Sequence, residues 1–192
     1  MDDLFDKIKT AIQSFRNKEV YFTIDITNFG FFRKYPDNKD KLVVTEKISA
    51  VNEHLISLSL VPVMADHIIQ LNIDKFLTHH DISVVEKMAA INDKENDHLK
   101  YFTSVYCNYH HPAIYPVYSE RNKEMLLLYT SAFSNEGIHH DDLNDYETYK
   151  KITDAFCNDL QLTRLDYHEL NKFLWIQREM ITAGLKAIRT RN

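Results

Sequence analysis

Between residues 2 and 19, Leu4, Phe5, Ile8, Ala11, Ile12 and Phe15 recur every three or four positions, and Asp2 and Asp3 stand at the start, where the helix dipole favours acids. The spacing predicts an amphipathic first helix. From Val20 to Phe32, "VYFTIDITNFGFF" alternates apolar and polar residues briefly and holds Gly30, which reads as a short strand or an extended segment. After the turn-forming run "KYPDNKD", Ile48, Val51, Leu55 and Leu58 mark a second helix that stops before Pro62. A further helix is expected over roughly 62–77. Asp81 or Ser83 caps the next, short helix through Val84, Val85 and Met88, and "NDKEND" reads as a polar connection.

Residues 97–109 resume helical spacing ahead of Pro112, and Ser119 stands as the N-cap of "ERNKEMLLLYTSAF", in which Met125, Leu128, Tyr129 and Ala132 face inward. The stretch "YCNYHHPAIYPVYSERN" therefore joins two helices. After the loop "SNEGIHHDDLND", Tyr146, Tyr149, Ile152, Phe156 and Leu160 step by three or four, and Asp166 caps a long last helix. That helix carries Leu170, Phe173, Leu174, Trp175, Ile181, Leu185 and Ile188, with Trp175 expected in the core.

Composition narrows the fold class to all-α. The 192 residues include only 3 glycines and 4 prolines, too few for a turn-rich architecture, and the length fits a single domain. No apolar run approaches the roughly 18 residues that span a bilayer, and the acidic start lacks the basic and apolar regions of a secretion signal, so no membrane partner and a cytoplasmic location are expected. Cys107 and Cys157 show no CxxC spacing and read as buried thiols. The net charge of -5 disfavours broad attraction to nucleic acid, but it is uneven: residues 164–192 are basic, ending in "KAIRTRN". A polyanion would meet the last helix through Lys186 and Arg189.

"YFTSVYCNYHHPAIYPVYSERNKEMLLLY" resembles a segment of a large group of uncharacterised bacterial proteins, in which a Phe-Ala-Thr/Ser-Lys-Tyr-Cys run leads to His-x-Pro and then Pro-Ile-Tyr-Asp-Ser. "DYETYKKITDAFCNDLQLTRLDYHELNKFLWIQRE" resembles the ending of the same group, so the likeness covers roughly residues 97–180 and leaves 1–96 unmatched. The group is likened to the all-helical fold of 8-oxoguanine DNA glycosylases of the helix-hairpin-helix superfamily. Such enzymes use an aspartate to stabilise the developing sugar cation and, in bifunctional members, a lysine amine as nucleophile. This chain departs at both positions. Val105 stands where the group has lysine and Ser119 where it has aspartate, which leaves Lys100 and Ser119 as the catalytic candidates, and the glycine-rich hairpin is missing. The resemblance thus implies a glycosylase-like fold without glycosylase activity.

Two readings of the linking stretch stand side by side. In one it is a corner stiffened by Pro112 and Pro116, with tyrosine hydroxyls outward and Ser119 as a cap. In the other, His110, Tyr115, Tyr118 and Ser119 form the rim of a base or nucleotide pocket, because aromatic faces stack on bases. A metal reading competes with both. "VNEHL" followed by "THHDIS" is similar to the pattern of HD-type metal-dependent phosphohydrolases, in which His54, His80, Asp81 and Asp154 would hold a divalent ion that activates water. Sequence motifs exclude other chemistries: there is no HExxH, no GxSxG and no phosphate-binding glycine loop. The expectation is a binding or interaction protein without cofactor, contacting nucleic acid or another protein, with the phosphohydrolase as the alternative.

Overall fold

In the computed structural model, residues 2–16, 23–52, 55–91, 97–133 and 138–190 are described, and helices dominate them. The order is α1 (Asp2–Arg16), α2 (Thr23–Lys34), α3 (Lys41–Val51), α4 (Val61–Leu71), α5 (Asp74–Thr78), α6 (Val84–Ala89), α7 (Asp97–His110), α8 (Glu120–Phe133), a 3-10 helix (His140–Asn144), α9 (Tyr146–Asp159) and α10 (Tyr167–Arg189). Among the described residues there is no strand, as the scarcity of glycine and proline predicts. No helix there is long and apolar enough to cross a membrane.

The strand or extended segment expected near 20–32 is a helix from Thr23 onward, and residues 20–22 lie outside the described residues. Its short alternation gives way to tertiary contact: Phe29 and Phe32, three positions apart, both pack on Tyr109 of α7, with ring centroids 4.8 and 5.4 Å away. Asp25, in the first turn of α2, is buried and accepts the Tyr109 hydroxyl at 3.1 Å. The second helix also differs from expectation. It starts earlier, because Asp40 caps it by accepting from the N–H groups of Leu42 and Val43, and it ends at Val51. The Asn52 side chain then bonds the backbone of Ile56 in both directions, leaving Leu58 85% exposed. The helix expected over 62–77 is broken by Asn72, which takes a left-handed conformation with φ 52° and separates α4 from α5. Asparagine tolerates that region better than most residues.

The chain forms two compact units, Phe22–Tyr118 and a second made of Met1–Tyr21 with Ser119–Asn192. In the first, α7 packs against α2, α3 and α6, and its Phe102, Tyr106 and Cys107 are fully buried with Val44, Ile48, Met64, Val85 and Met88 of the neighbouring helices. In the second, α10 packs against α8 and α1, and α9 against α8 and the 3-10 helix. Phe15 meets Phe173 edge-on at 5.7 Å, and Tyr129 meets Phe156 at 5.4 Å. Helix α1 approaches α10 at Gly184, where an added Cβ would lie 2.5 Å from Leu4 Cδ1, so a side chain there would displace Leu4. Both cysteines are buried free thiols, as their spacing implies.

The caps expected at Ser119 and Asp166 are present, and Asp145 caps α9 without having been singled out from the sequence. Ser119 Oγ accepts from the Asn122 N–H at 3.2 Å, Asp145 accepts from Thr148 at the start of α9, and Asp166 with Glu169 closes a reciprocal capping box at the start of α10. Trp175 departs from expectation. Although it sits among core-facing neighbours in sequence, it is 64% exposed, because Phe173, Leu174 and Ile181 already fill the inward stripe of α10. Replacing the α10 cap tests the helix start: Asp166→Ala should lower the unfolding free energy by about 1 kcal/mol in urea denaturation, and Asp166→Asn by much less.

Candidate functional site

A cavity of about 340 Å³ opens in the Phe22–Tyr118 unit, between the last turn of α2, helix α5 and the end of α7. Phe32, Asp74, Leu77, Tyr109 and His110 form its less exposed wall, and Arg33, Asp37, Thr78 and His80 its exposed rim. Three imidazoles, two carboxylates and a guanidinium thus share one small space.

Beneath the cavity lies a buried polar network centred on Asn38. Its Oδ1 accepts from Tyr106 OH at 2.6 Å and from Lys47 Nζ at 3.1 Å, while its Nδ2 donates to Asp74 Oδ1 at 2.7 Å. The Asn38 backbone N–H also donates to both Asp74 oxygens, each at 3.1 Å. These donors fix which way the amide faces, and that orientation decides the next contact. His110 Nε2 lies 3.3 Å from the same Oδ1, an acceptor only, so Nε2 carries the proton and Nδ1 is left as the ring's acceptor. The ring is held edge-on by Phe32 at 4.9 Å and beside Tyr106 at 5.4 Å.

Lys47 is fully buried and also donates to the Asp37 carbonyl at 3.1 Å. Burial pulls its amine down from the ordinary lysine value to about 8, against the upward pull of Asp74 and Asp37. Burial, then the Lys47 charge and His111, hold the His110 imidazole well below its usual range, so the ring is neutral near pH 7. His111 is lowered as well, by burial and by His80. Tyr106 is pushed far up by burial and serves as a donor only.

The third imidazole is held by an unusual backbone. Helix α5 closes with the Asp81 N–H donating to the Phe76 carbonyl at 2.9 Å and the His80 N–H to the Leu77 carbonyl at 3.1 Å, the paired bonds of a Schellman motif. The left-handed position of that motif is normally glycine, yet here it is His80, with φ 55°. Its ring stands 5.1 Å from that of His111, at the rim of the cavity.

Of the residues singled out from sequence, the structure brings His80 and His110 to this cavity. Tyr115 and Tyr118 are buried: the Tyr115 hydroxyl reaches the Asp81 carbonyl at 3.5 Å, and the Tyr118 N–H donates to Ser104 Oγ at 2.9 Å. The expectation of outward tyrosine hydroxyls is corrected by Tyr106 and Tyr109, whose hydroxyls satisfy buried Asn38 and Asp25. Lys100 is buried, 3.8 Å from Glu86 and over the Tyr118 ring, and Ser119 serves as the α8 cap. Lys186 and Arg189 are exposed in the last turns of α10.

His54 lies outside the described residues. Asp81 accepts from the Ser83 N–H at 3.0 Å, and Asp154 is bound by Lys150 at 2.7 Å and by the Tyr167 hydroxyl. No group of three or more His, Cys, Asp or Glu among the described residues is arranged to hold a metal ion. Asn38, Lys47 and Asp74 went unmarked in the sequence because they belong to a loop and two helices separated along the chain. The one local sign was the pairing of "YPDN" with a lysine on the following helix.

Residues 7–114, which include every residue lining the cavity, match the HI_0787_N family, described as an N-terminal domain. The chain belongs to the HI_0787_N family. This match falls largely on the part, residues 1–96, for which the sequence offered no likeness. Over 127 residues, 65% of this chain, it is 23% identical to an uncharacterised protein of Haemophilus influenzae (strain ATCC 51907 / DSM 11121 / KW20 / Rd). The aligned region is 60% of that relative, so this HI_0787_N chain spans less than two thirds of it. No solved structure matches, and the likeness to glycosylases therefore has no solved counterpart here.

The network predicts a pH dependence that can be read by difference. The folded amine of Lys47 titrates below its unfolded value of 10.5, so the unfolded chain binds the proton more tightly and this group favours folding progressively as pH rises from about 8 to 10.5. Urea denaturation of the wild type and Lys47→Met across that range isolates the effect, because the other alkaline titrations are common to both. The difference in unfolding free energy should move in favour of the wild type by roughly 3 kcal/mol at most. A constant difference contradicts the assignment.

Proposed function

We propose that this protein is a binding protein whose Phe22–Tyr118 unit takes a small polar molecule in the cavity beside His80, His110 and His111. The observation that carries this reading is His80. A left-handed backbone costs a non-glycine residue roughly 1–2 kcal/mol, and glycine would close the same helix end without that cost. The strain is kept where it sets an imidazole on the rim of a polar cavity, 5.1 Å from a second one. The buried Asn38 network supports the same reading, since it fixes one tautomer of His110 at the cavity wall, where burial and then the Lys47 charge keep the ring neutral.

A trade between stability and binding tests it. His80→Gly should raise the unfolding free energy by about 1 kcal/mol and weaken the binding of small polar fragments detected on the wild type by ligand-observed NMR. If the variant is more stable and binds the same fragments equally well, His80 has no part in a binding site. If it is less stable, the strain argument itself is wrong.

A second reading is favoured by Trp175. It projects from α10 on a stripe that also carries Lys172, Arg178, Lys186 and Arg189, an arrangement of aromatic and basic groups suited to single-stranded nucleic acid. Arg178 is paired with Glu124 and Glu179 lies on the same face, which reduces the attraction. Because Trp175 is the chain's one tryptophan, its fluorescence reports directly on this surface. Oligo-dT should quench it with an affinity that falls steeply with added salt. An unchanged spectrum at micromolar protein removes the nucleic-acid reading and leaves the cavity reading untouched.

A further inference from the structure

We propose that the cavity receives its ligand by a protonated amine, inserted toward Asp74 and His110; the inference rests on the cavity being a ligand site and adds the chemistry of what enters it. On the less exposed wall the polar groups are the Asp74 carboxylate, the His110 ring and the Tyr109 hydroxyl, whose proton goes to Asp25. Asp74 accepts three hydrogen bonds from Asn38, leaving capacity on a carboxylate that has about four acceptor sites. His110 spends its N–H on Asn38 and keeps Nδ1 as an acceptor. The inner wall therefore offers acceptors to whatever enters.

The cations nearby do not supply matching donors. Lys47 is fully buried, donating to Asn38 Oδ1 and the Asp37 carbonyl, so its charge offsets Asp74 from behind without reaching the cavity. Arg33 belongs to the exposed rim, and its Nε donates to the Phe29 carbonyl at 3.4 Å. A carboxylate or phosphate pushed inward would meet Asp74 and the His110 lone pair, and would have to reach Arg33 on the rim or the His80 and His111 rings for a donor. An ammonium meets two acceptors and the aromatic ring of Tyr109, which attracts cations; Lys47 Nζ already lies 5.3 Å from the centroid of the Phe32 ring. The rim pair Arg33 and Asp37 would then face the outer part of the ligand.

Three probes of nearly equal size separate the alternatives: benzylamine, benzoate and neutral benzamide, each titrated by calorimetry and by the side-chain NMR signals of His110 and His111. Benzylamine should bind saturably and benzoate should not. Asp74→Asn, checked for folding by circular dichroism, should weaken benzylamine by about tenfold. Because Asp74 also supports the network, Arg33→Glu provides an independent arm at an exposed position: it should strengthen benzylamine severalfold. Binding of benzoate or benzamide without benzylamine overturns the amine inference and leaves the cavity reading in place. Benzylamine binding that neither substitution changes also overturns it. If none of the three probes moves the histidine signals, both the inference and the cavity reading fall.

Discussion

One side-chain amide sets the terms for the rest of the Phe22–Tyr118 unit. Asn38 Oδ1 gathers the Tyr106 hydroxyl, the Lys47 amine and the His110 N–H, while Nδ2 and the backbone N–H hold Asp74. These groups come from three helices, Lys47 from α3, Asp74 from α5 and both Tyr106 and His110 from α7, so the amide ties the α2–α3 loop to all three at once. A buried amine and carboxylate are costly unless every hydrogen-bonding site is used, and an apolar replacement of similar volume is often more stable. The network's return is orientation. It leaves a neutral imidazole with a defined lone pair and an immobilised carboxylate on one wall of a cavity.

The same unit keeps a second cost in the backbone at His80. Helix ends closed by a Schellman motif usually take glycine at the left-handed position, and the chain spends none of its 3 glycines there. The other unit shows a parallel closure at the end of α9, where Gln161 is left-handed and Leu162 donates to the Cys157 carbonyl at 2.7 Å. The family match over residues 7–114 contains the whole cavity and stops before α8, so the matched segment includes this polar arrangement and not the basic helix α10.

Legibility in the sequence followed the range of the interactions. Local signals are legible: the apolar stripes of α1, α9 and α10, and the caps Ser119 and Asp166, depend on neighbours within a few residues. Long-range contacts overrode local pattern in α2, where the alternating run became helical because Phe29, Phe32 and Asp25 all meet Tyr109 on α7. Trp175 followed its neighbours in spacing but sits outside the inward stripe, which the larger apolar set of α10 had already filled. The cavity was only half visible. His80 and His110 stood out as histidines, but their partners Asn38, Lys47 and Asp74 are ordinary polar residues in sequence, and only the fold brings them together.

The most direct test of this account is the protonation state of His110. Long-range nitrogen-proton NMR on the full chain, with His110→Gln to assign the resonance, reads which ring nitrogen carries the proton between about pH 5.5 and 8. The account predicts a neutral ring protonated on Nε2 throughout that range. A ring that titrates within it near the ordinary histidine value, or one protonated on Nδ1, would contradict the Asn38 network as the organiser of the site.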